Sequence, residues 1–259
     1  MRPSTTASAA RAAVPPTTAW LEAEPGGVAE QLALDEALLE EAHEGLRTGV
    51  VVRTWMAAEP TVVLGSSSGI AAEIDPAACA AHGVRVVRRP SGGLSVVLGP
   101  GCLMWSVVAH YPAGPPTIDA IHAAMLEPLC TALRAAGRDV VRRGSSDLAI
   151  VAADADRKVS GNALRVRRQA VLYHGTLLDA FDLGLIGRVL RHPPREPGYR
   201  DGRPHAAFLA NLGLGASRLA AAVRQAFAAD RLETAWPRDR VARLVGERYA
   251  DPAWTERAP

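Results

Sequence analysis

At 259 residues, with 48% hydrophobic and 22% charged side chains, the chain has the composition of a globular protein and enough length for a full core. A formal net charge of +2 is too small to argue for a nucleic-acid partner, and no apolar run approaches the roughly 20 residues that span a bilayer. Three cysteines, Cys79, Cys102 and Cys130, form no CxxC pair and no metal-ligand spacing, so no metal site is expected and a reducing, cytoplasmic compartment fits them.

Residues Met1 to Thr18 are rich in Ala, Pro, Ser and Thr and lack the apolar stretch of a secretory leader. A disordered extension is expected there, followed by a single domain over residues 19–259. Leu32, Leu34, Ala37 and Leu38 recur at helical spacing and predict a helix from Val28 that ends near Gly45, with Asp35, Glu36, Glu40 and Glu41 on a solvated face. Val50 to Trp55 and Thr61 to Leu64 read as paired strands around the Glu59-Pro60 turn. The loop Gly65 to Ser68 that follows is a weak ligand signal, because such loops are common simply as turns. Asp75 and Pro76 open a short helix that Gly83 closes.

Two strands, Val84 to Arg89 and Leu94 to Leu98, flank Pro90-Ser91-Gly92-Gly93, and a third runs from Leu103 to His110. The two glycines allow close backbone approach to a ligand, with Arg88 and Arg89 entering from one side, but a plain hairpin with exposed arginines has the same pattern. Thr117 to Gly137 predicts an amphipathic helix with Ile118, Ile121, Met125, Leu129 and Leu133 inward, kinked or split at Pro128. Strands return at Asp139 to Arg142, Leu148 to Val151 and Ala170 to Tyr173. Asp147, in the turn between the first two, suits a ligand hydroxyl, a lysine partner or its own turn equally well.

The most informative stretch is Arg157 to Thr176. Lys158 is followed by the turn-forming Ser160-Gly161-Asn162, a basic run, and an apolar strand ending in His174-Gly175-Thr176. A turn of that kind exposes backbone amides beside a mobile positive charge, which suits a phosphate or acyl-phosphate ligand. Downstream, residues 192–213 form a long Pro-, Gly- and Arg-rich segment that suits a cover over a site, with Arg195, Arg200, Arg203 and His205 as its cationic face. Two more helices, Ala216 to Ala229 and Arg238 to Tyr249, complete the chain.

Taken in order, RRPSGG, GSSDL, DRKVSGNALR and HGTLL resemble the lipoate protein ligase A and octanoyltransferase family, and LALDEALL and ERYADPAW extend the likeness over Trp20 to Trp254. The resemblance implies an α+β fold: a mixed, largely antiparallel β-sheet flanked by helices, shared with biotin protein ligases. It also implies activation of lipoate or octanoate by ATP, with Mg²⁺, to an acyl adenylate. The acyl group would then pass to a lysine of a lipoyl carrier domain, in a 2-oxoacid dehydrogenase E2 or a glycine cleavage H protein. On this likeness Lys158 matches the essential lysine, and Ser91, Gly92, Gly93, Leu94 and Ser95, beside Arg88 and Arg89, match the loop against the adenylate. Ser146, Asp147, Ser160, Gly161, Asn162, His174, Gly175 and Thr176 match the rest of the pocket. Val96, Leu98 and Leu172 are candidates for an acyl channel, and Arg165, Arg167 and Arg168 for an acidic carrier or the triphosphate, unless they are core and solvated face respectively.

The family's third glycine is here Leu94, its usual asparagine is Ser146, and an accessory domain is not expected within this sequence, so a separate accessory protein is. The competing readings are an ATP-independent octanoyl or lipoyl transferase working through a cysteine thioester, and a degenerate lipoate- or carrier-binding protein. No cysteine lies in 145–157 or 192–213, where a thioester mechanism in this family would have one, and this favours the ligase.

Overall fold

The computed structural model describes residues 17–258. In chain order the elements are β1 (Thr18–Leu21), α1 (Val28–His43), β2 (Val50–Met56), β3 (Thr61–Leu64), α2 (Ile70–Glu73) and α3 (Pro76–Ala81). Then come β4 (Arg85–Arg88), β5 (Val96–Leu98), β6 (Cys102–His110), α4 (Ile118–Ala135), β7 (Val140–Arg143), β8 (Asp147–Ile150), β9 (Arg157–Val166) and β10 (Ala170–Leu178). The chain finishes with α5 (Leu183–Val189), α6 (His205–Phe208), α7 (Ala216–Ala226), β11 (Arg231–Glu233), α8 (Arg238–Leu244), a π-helical turn Val245–Tyr249, and α9 (Pro252–Glu256). Of the stretch 1–18 expected to be an extension, residues 1–16 lie outside the described residues, and Thr18 already begins β1.

Eight strands form one sheet in the order β11-β1-β2-β6-β10-β9-β8-β7, and β4-β3-β5 form a second, three-stranded sheet. All pairs in the large sheet are antiparallel except those of β1 with β11 and β2. This is the expected α+β architecture with helices on both faces. β2 and β3 are not partners: β2 pairs with β1 and β6, and the Glu59-Pro60 turn passes the chain into the second sheet. Nor do β4 and β5 form a hairpin, since β3 lies between them, parallel to one and antiparallel to the other.

The side-chain alternation of β10 separates two cores. Leu172 and Leu178 belong to the core beneath α1, α5 and α8, whereas Val171, Tyr173 and Leu177 face α4 and α7. Within α4 the expected inward face holds at Ile121, Met125, Leu129 and Leu133, but Ile118, in the first turn, is 57% exposed. Glycine closes α1 as expected, Gly45 taking the left-handed conformation at φ 76°.

The solvated acidic face expected on α1 is wrong at its centre. Asp35 and Glu36 are buried, because the sheet covers one side of α1 and α8 with its π-helical extension covers another. Each carboxylate is matched: Asp35 Oδ1 lies 2.5 Å from Arg53 Nη1 and accepts from Ser106 Oγ at 2.8 Å, while Glu36 accepts from Tyr249 Oη at 2.8 Å and pairs with Arg248. Burial pushes the Asp35 carboxyl up, but the Arg53 charge and hydrogen bonds from His174 and Ser106 outweigh it and hold the group below its ordinary value of 3.8. A carboxyl lowered in the folded chain stabilises it above the unfolded value, and that contribution is lost as pH falls through the folded value. Asp35→Ala strands a buried guanidinium and is expected to cost about 3–5 kcal/mol at neutral pH. Urea titrations should show this deficit narrowing below about pH 4, where wild type loses the same charge; a deficit independent of pH would refute the account.

Candidate active site

A cavity of about 610 Å³ opens on the α1 side of the large sheet, between the sheet and the segment that follows α5. Its polar rim comes from two strands, a turn and a loop. β9 contributes Lys158, Gly161 and Asn162; β10 contributes His174, Gly175 and Thr176; the turn before β8 contributes Ser146, with Asp147 at the strand's start. Arg89, Gly93, Leu94 and Ser95 line it from the loop between β4 and β5. Its apolar part is built from Leu32, Val63, Val96, Leu98 and Met104. Leu172 is not among them and packs in the core instead.

The stretch expected to turn at Ser160-Gly161-Asn162 is a continuous strand, because both neighbours pair with it: β8 on one side and β10 on the other. Its functional feature is a register shift. Ser160 opposes Leu148 and Lys158 opposes Ala149, which leaves Val159 as an extra residue. In a regular strand residues three apart point to opposite faces. The bulge changes that parity, and the Lys158 side chain folds over Gly161, where an added Cβ would meet Nζ at 3.0 Å. Of the three roles open to Asp147, the structure selects the lysine partner: Lys158 Nζ lies 2.8 Å from its Oδ1, and Tyr199 Oη donates to its Oδ2 at 3.0 Å. Burial first, and then the Asp147 charge, push the Tyr199 hydroxyl well up, so it remains a donor.

The Ser-Gly-Gly loop is held from behind by groups that sequence reasoning placed in contact with ligand. Arg88 is fully buried and faces away from the cavity, donating to the carbonyls of Gly65, Ser68, Thr255 and Arg257. Trp254 Nε1 donates in return to the Arg88 carbonyl at 3.0 Å, and the Arg257 guanidinium stacks on the Trp254 ring at 3.8 Å. Arg88 is therefore a clamp between the loop and the α9 segment. Arg89 lines the cavity, but its N–H groups go to Ser91 Oγ and to the carbonyls of Val63, Gly92 and Leu94. Burial brings its pKa down to about 10, with Glu73 opposing, which leaves it charged at neutral pH.

Ser91 is buried rather than presented to the cavity. Its Oγ lies 2.6 Å from His174 Nε2, and His174 Nδ1 lies 3.2 Å from Asp35 Oδ2. The ionised Asp35 can only accept, so Nδ1 donates to it, and Nε2 meets the Ser91 hydroxyl, which can act as donor or acceptor. Gly92 and Ser160 likewise stand behind the lining: the Gly92 carbonyl accepts from Arg89, and the Ser160 hydroxyl bonds to the Asn162 side chain. Among the described residues the amides of Gly92, Gly93 and Leu94 have no protein acceptor, and Gly93 adopts φ 88°, a conformation that turns successive N–H groups outward.

The Gly65 to Ser68 loop proves to be the buttress of this arrangement. Ser66 N donates to the Ser91 carbonyl at 2.8 Å, Ser68 Oγ lies 3.3 Å from the Gly93 carbonyl, and a Cβ on Gly65 would fall 1.9 Å from that same oxygen. Residues that sequence reasoning missed are Leu32, Val63 and Met104 in the apolar part, Tyr199 behind the lysine, and Glu73, whose Oε2 accepts from both Ser95 N and Ser95 Oγ at 2.7 Å. Each comes from a different element, so no local pattern marks them as a set.

The proline-rich segment covers the site as expected. Arg195, Glu196, Pro197 and Gly198 close one wall of the cavity, and the Lys158 carbonyl accepts from Ala210 N at 3.0 Å. Its cationic face is smaller than expected, since Arg200 is buried against Glu196 and Phe208. A smaller cavity of about 140 Å³ lies under the same segment and shares Lys158, Ser95 and Arg195 with the first. All three cysteines are buried, none lines either cavity, and burial pushes the Cys102 thiol up to about 12.

The pattern of the family described as "Lipoyl protein ligase A/B catalytic domain" matches residues 28–213. A candidate lipoate-protein ligase A of Aeropyrum pernix is 32% identical over 160 residues, which are 61% of this chain and 56% of the relative, so the chain spans little more than half the length of that protein. The fold is similar to a bi-partite lipoate protein ligase of Thermoplasma acidophilum, described with its E2 lipoyl domain, at a TM-score of 0.77, 21% identity, and coverage of 93% of this chain and 96% of that one. A lipoate-protein ligase A bound with ATP gives a TM-score of 0.76 at 21% identity, covering 93% of this chain and 98% of that one. At these identities the likeness carries the fold.

Replacement of Gly65 tests the buttress. Gly65→Ala has no room without moving the Gly93 carbonyl, and a loss of about 1–3 kcal/mol in urea unfolding is expected, the scale of overpacking. Gly92→Ala, with nothing within 4 Å of the added Cβ, should unfold like wild type. Equal stability of the two variants would show that the close approach carries no weight.

Proposed function

The chain belongs to the lipoyl protein ligase A/B catalytic domain family, and on that premise we propose that it is a lipoate-protein ligase that activates lipoate or octanoate with ATP and transfers the acyl group to a lysine of a lipoyl carrier domain. The observation that carries this reading is the position of Lys158. It lines both cavities, is paired with Asp147, and stands where an apolar pocket meets a loop of unused backbone amides.

Each part of the site has a task in that reaction. The acyl chain lies against Leu32, Val63, Leu98 and Met104, and its carboxylate reaches the polar rim. There a carboxylate oxygen attacks the α-phosphorus of ATP, the bond to the bridging oxygen breaks, and pyrophosphate leaves with the electron pair. Charge gathers on the phosphoryl oxygens, and Lys158 and the amides of Gly93 and Leu94 are fixed in place to meet it. In the second half-reaction the carrier lysine, as its neutral amine, attacks the acyl carbonyl and AMP leaves. Among the described residues no group of three or more His, Cys, Asp or Glu is gathered as a metal cage. Mg²⁺ is proposed to enter as part of the nucleotide substrate, and no step is assigned to it.

A lipoyl carrier domain as partner is supported by the Thermoplasma acidophilum ligase, which is described with its E2 lipoyl domain. The H protein is a further proposed acceptor. That ligase is also described as bi-partite, which supports the proposal of a separate accessory chain here. The thioester alternative finds no support in the three buried thiols, none of which reaches a cavity.

The proposal is tested by mixing the protein with apo carrier domain and either octanoate plus ATP or an octanoyl carrier protein, and weighing the carrier. Acylation is expected with octanoate only when ATP is present. Lys158→Ala should lower its rate at least about 100-fold, the scale of removing one preorganised charge, and Cys102→Ser should leave it unchanged. Acylation from octanoyl carrier protein without ATP, lost in Cys102→Ser and kept in Lys158→Ala, would overturn the ligase reading.

A further inference from the structure

A triphosphate brings about four negative charges, and the cations already described are largely spent within the protein. Lys158 is neutralised by Asp147 at 2.8 Å. Arg89 donates to Ser91 and to three carbonyls, and Arg88 faces the opposite way. In the cover segment Arg200 is buried against Glu196, and Arg191 Nε donates to the Ile74 carbonyl. Among the described residues Arg195 differs from all of these. It lines both cavities beside Lys158, and its guanidinium has neither a hydrogen-bond acceptor nor a carboxylate partner.

Its position is prepared by its neighbours. Pro193, Pro194 and Pro197 restrict the backbone around it. The next residue, Glu196, anchors the segment by accepting from Gly202 N at 2.8 Å and lying 3.2 Å from His192 Nε2 and 3.3 Å from Arg200 Nε. Two residues beyond Pro197, Tyr199 donates to Asp147 and so ties the segment to the lysine pair itself. A guanidinium at the junction of two cavities, on an anchored backbone and with all its donors free, is suited to fork-like contact with phosphate oxygens.

We propose that Arg195 binds the β- and γ-phosphates of the nucleotide and follows the departing pyrophosphate, dividing the phosphate charge with Lys158, which keeps the α-phosphate end. This rests on the ligase reading for the identity of the nucleotide, while the anion site stands on the geometry alone. Arg195 is then specific to the half-reaction that forms the adenylate. Transfer from the adenylate to the carrier, in which no pyrophosphate takes part, does not use it.

The experiment measures binding by calorimetry on the full chain, with inorganic pyrophosphate and a non-hydrolysable octanoyl-AMP analogue as probes. Arg195 is exposed, so its replacement is not expected to disturb folding. Arg195→Ala should weaken pyrophosphate binding roughly 10- to 100-fold, the scale of losing a charged hydrogen-bonding group. Arg195→Lys should recover part of that affinity, and both variants should bind the acyl-AMP analogue like wild type. Pyrophosphate binding that is absent in wild type, or equal in wild type and Arg195→Ala, overturns the proposal, as does an equal loss for the acyl-AMP analogue. Carrier acylation by wild type, followed separately, distinguishes the two ideas. If acylation fails while Arg195 still governs pyrophosphate binding, the anion site stands and the ligase reading falls.

Discussion

An ionised carboxylate sealed in a protein interior has to be matched where it stands, and Asp35 is matched by donors from three separate strands. Arg53 comes from β2, Ser106 from β6 and His174 from β10, which are consecutive neighbours in the large sheet. The helix that carries Asp35 is thereby fixed across the middle of that sheet. From His174 the chain of contacts continues through Ser91 to Arg89 and so to the carbonyls of Gly92 and Leu94. The loop's carbonyls are committed inward, and its amides are left for the cavity. A core ion pair and a ligand loop are thus parts of one hydrogen-bonded structure, in which each partly satisfied state is costlier than the complete one.

Much of this was legible in the sequence where the signal is local. Helix caps at Asp75 and Gly45, strand runs rich in valine, and the proline-rich cover all appear close to where they were expected. Of the residues singled out in the sequence, Arg89, Gly93, Asp147, Lys158 and His174 line one cavity, while Arg88, Ser91 and Gly92 do not. What escaped is what depends on distant partners. Arg88 and Arg89 look alike in sequence, yet one clamps the α9 segment and the other braces its own loop, and only the fold decides which. Asp35 and Glu36 look like helix surface until α8 and the sheet are known to cover both sides of α1. Strands β1 and β11, of four and three residues, exist through pairing, β1 with β2 and β11 with β1, and carry little pattern of their own. The turn expected at Ser160-Gly161-Asn162 is a strand for the same reason: two neighbours satisfy its backbone, and pairing outweighs the preference of those residue types for turns.

The placement of Lys158 shows how a small backbone irregularity does what residue spacing cannot. Were Val159 paired in a regular strand instead of bulged, Lys158 and Gly161 would lie on opposite faces of β9, and the amine would point away from Asp147 and the cavity. The Lys158 carbonyl also accepts from Ala210 N, so the cover segment and the lysine are joined through main chain as well as through Tyr199.

The alternation along β10 has a consequence for how such a protein can change. The side chains of His174 and Thr176 face the cavity while those of Tyr173 and Leu177 face the α4 and α7 layer, and Gly175 between them, which has no side chain, reaches the cavity only with its backbone. Selection acting on the ligand is confined to one set, and selection acting on the opposite layer to the other. The apolar pocket can be recut for a longer or shorter chain at Leu32, Val63 or Met104 while the far layer drifts under packing constraints alone. A single strand in this way gives one half of the molecule licence to specialise while the other half merely stays folded.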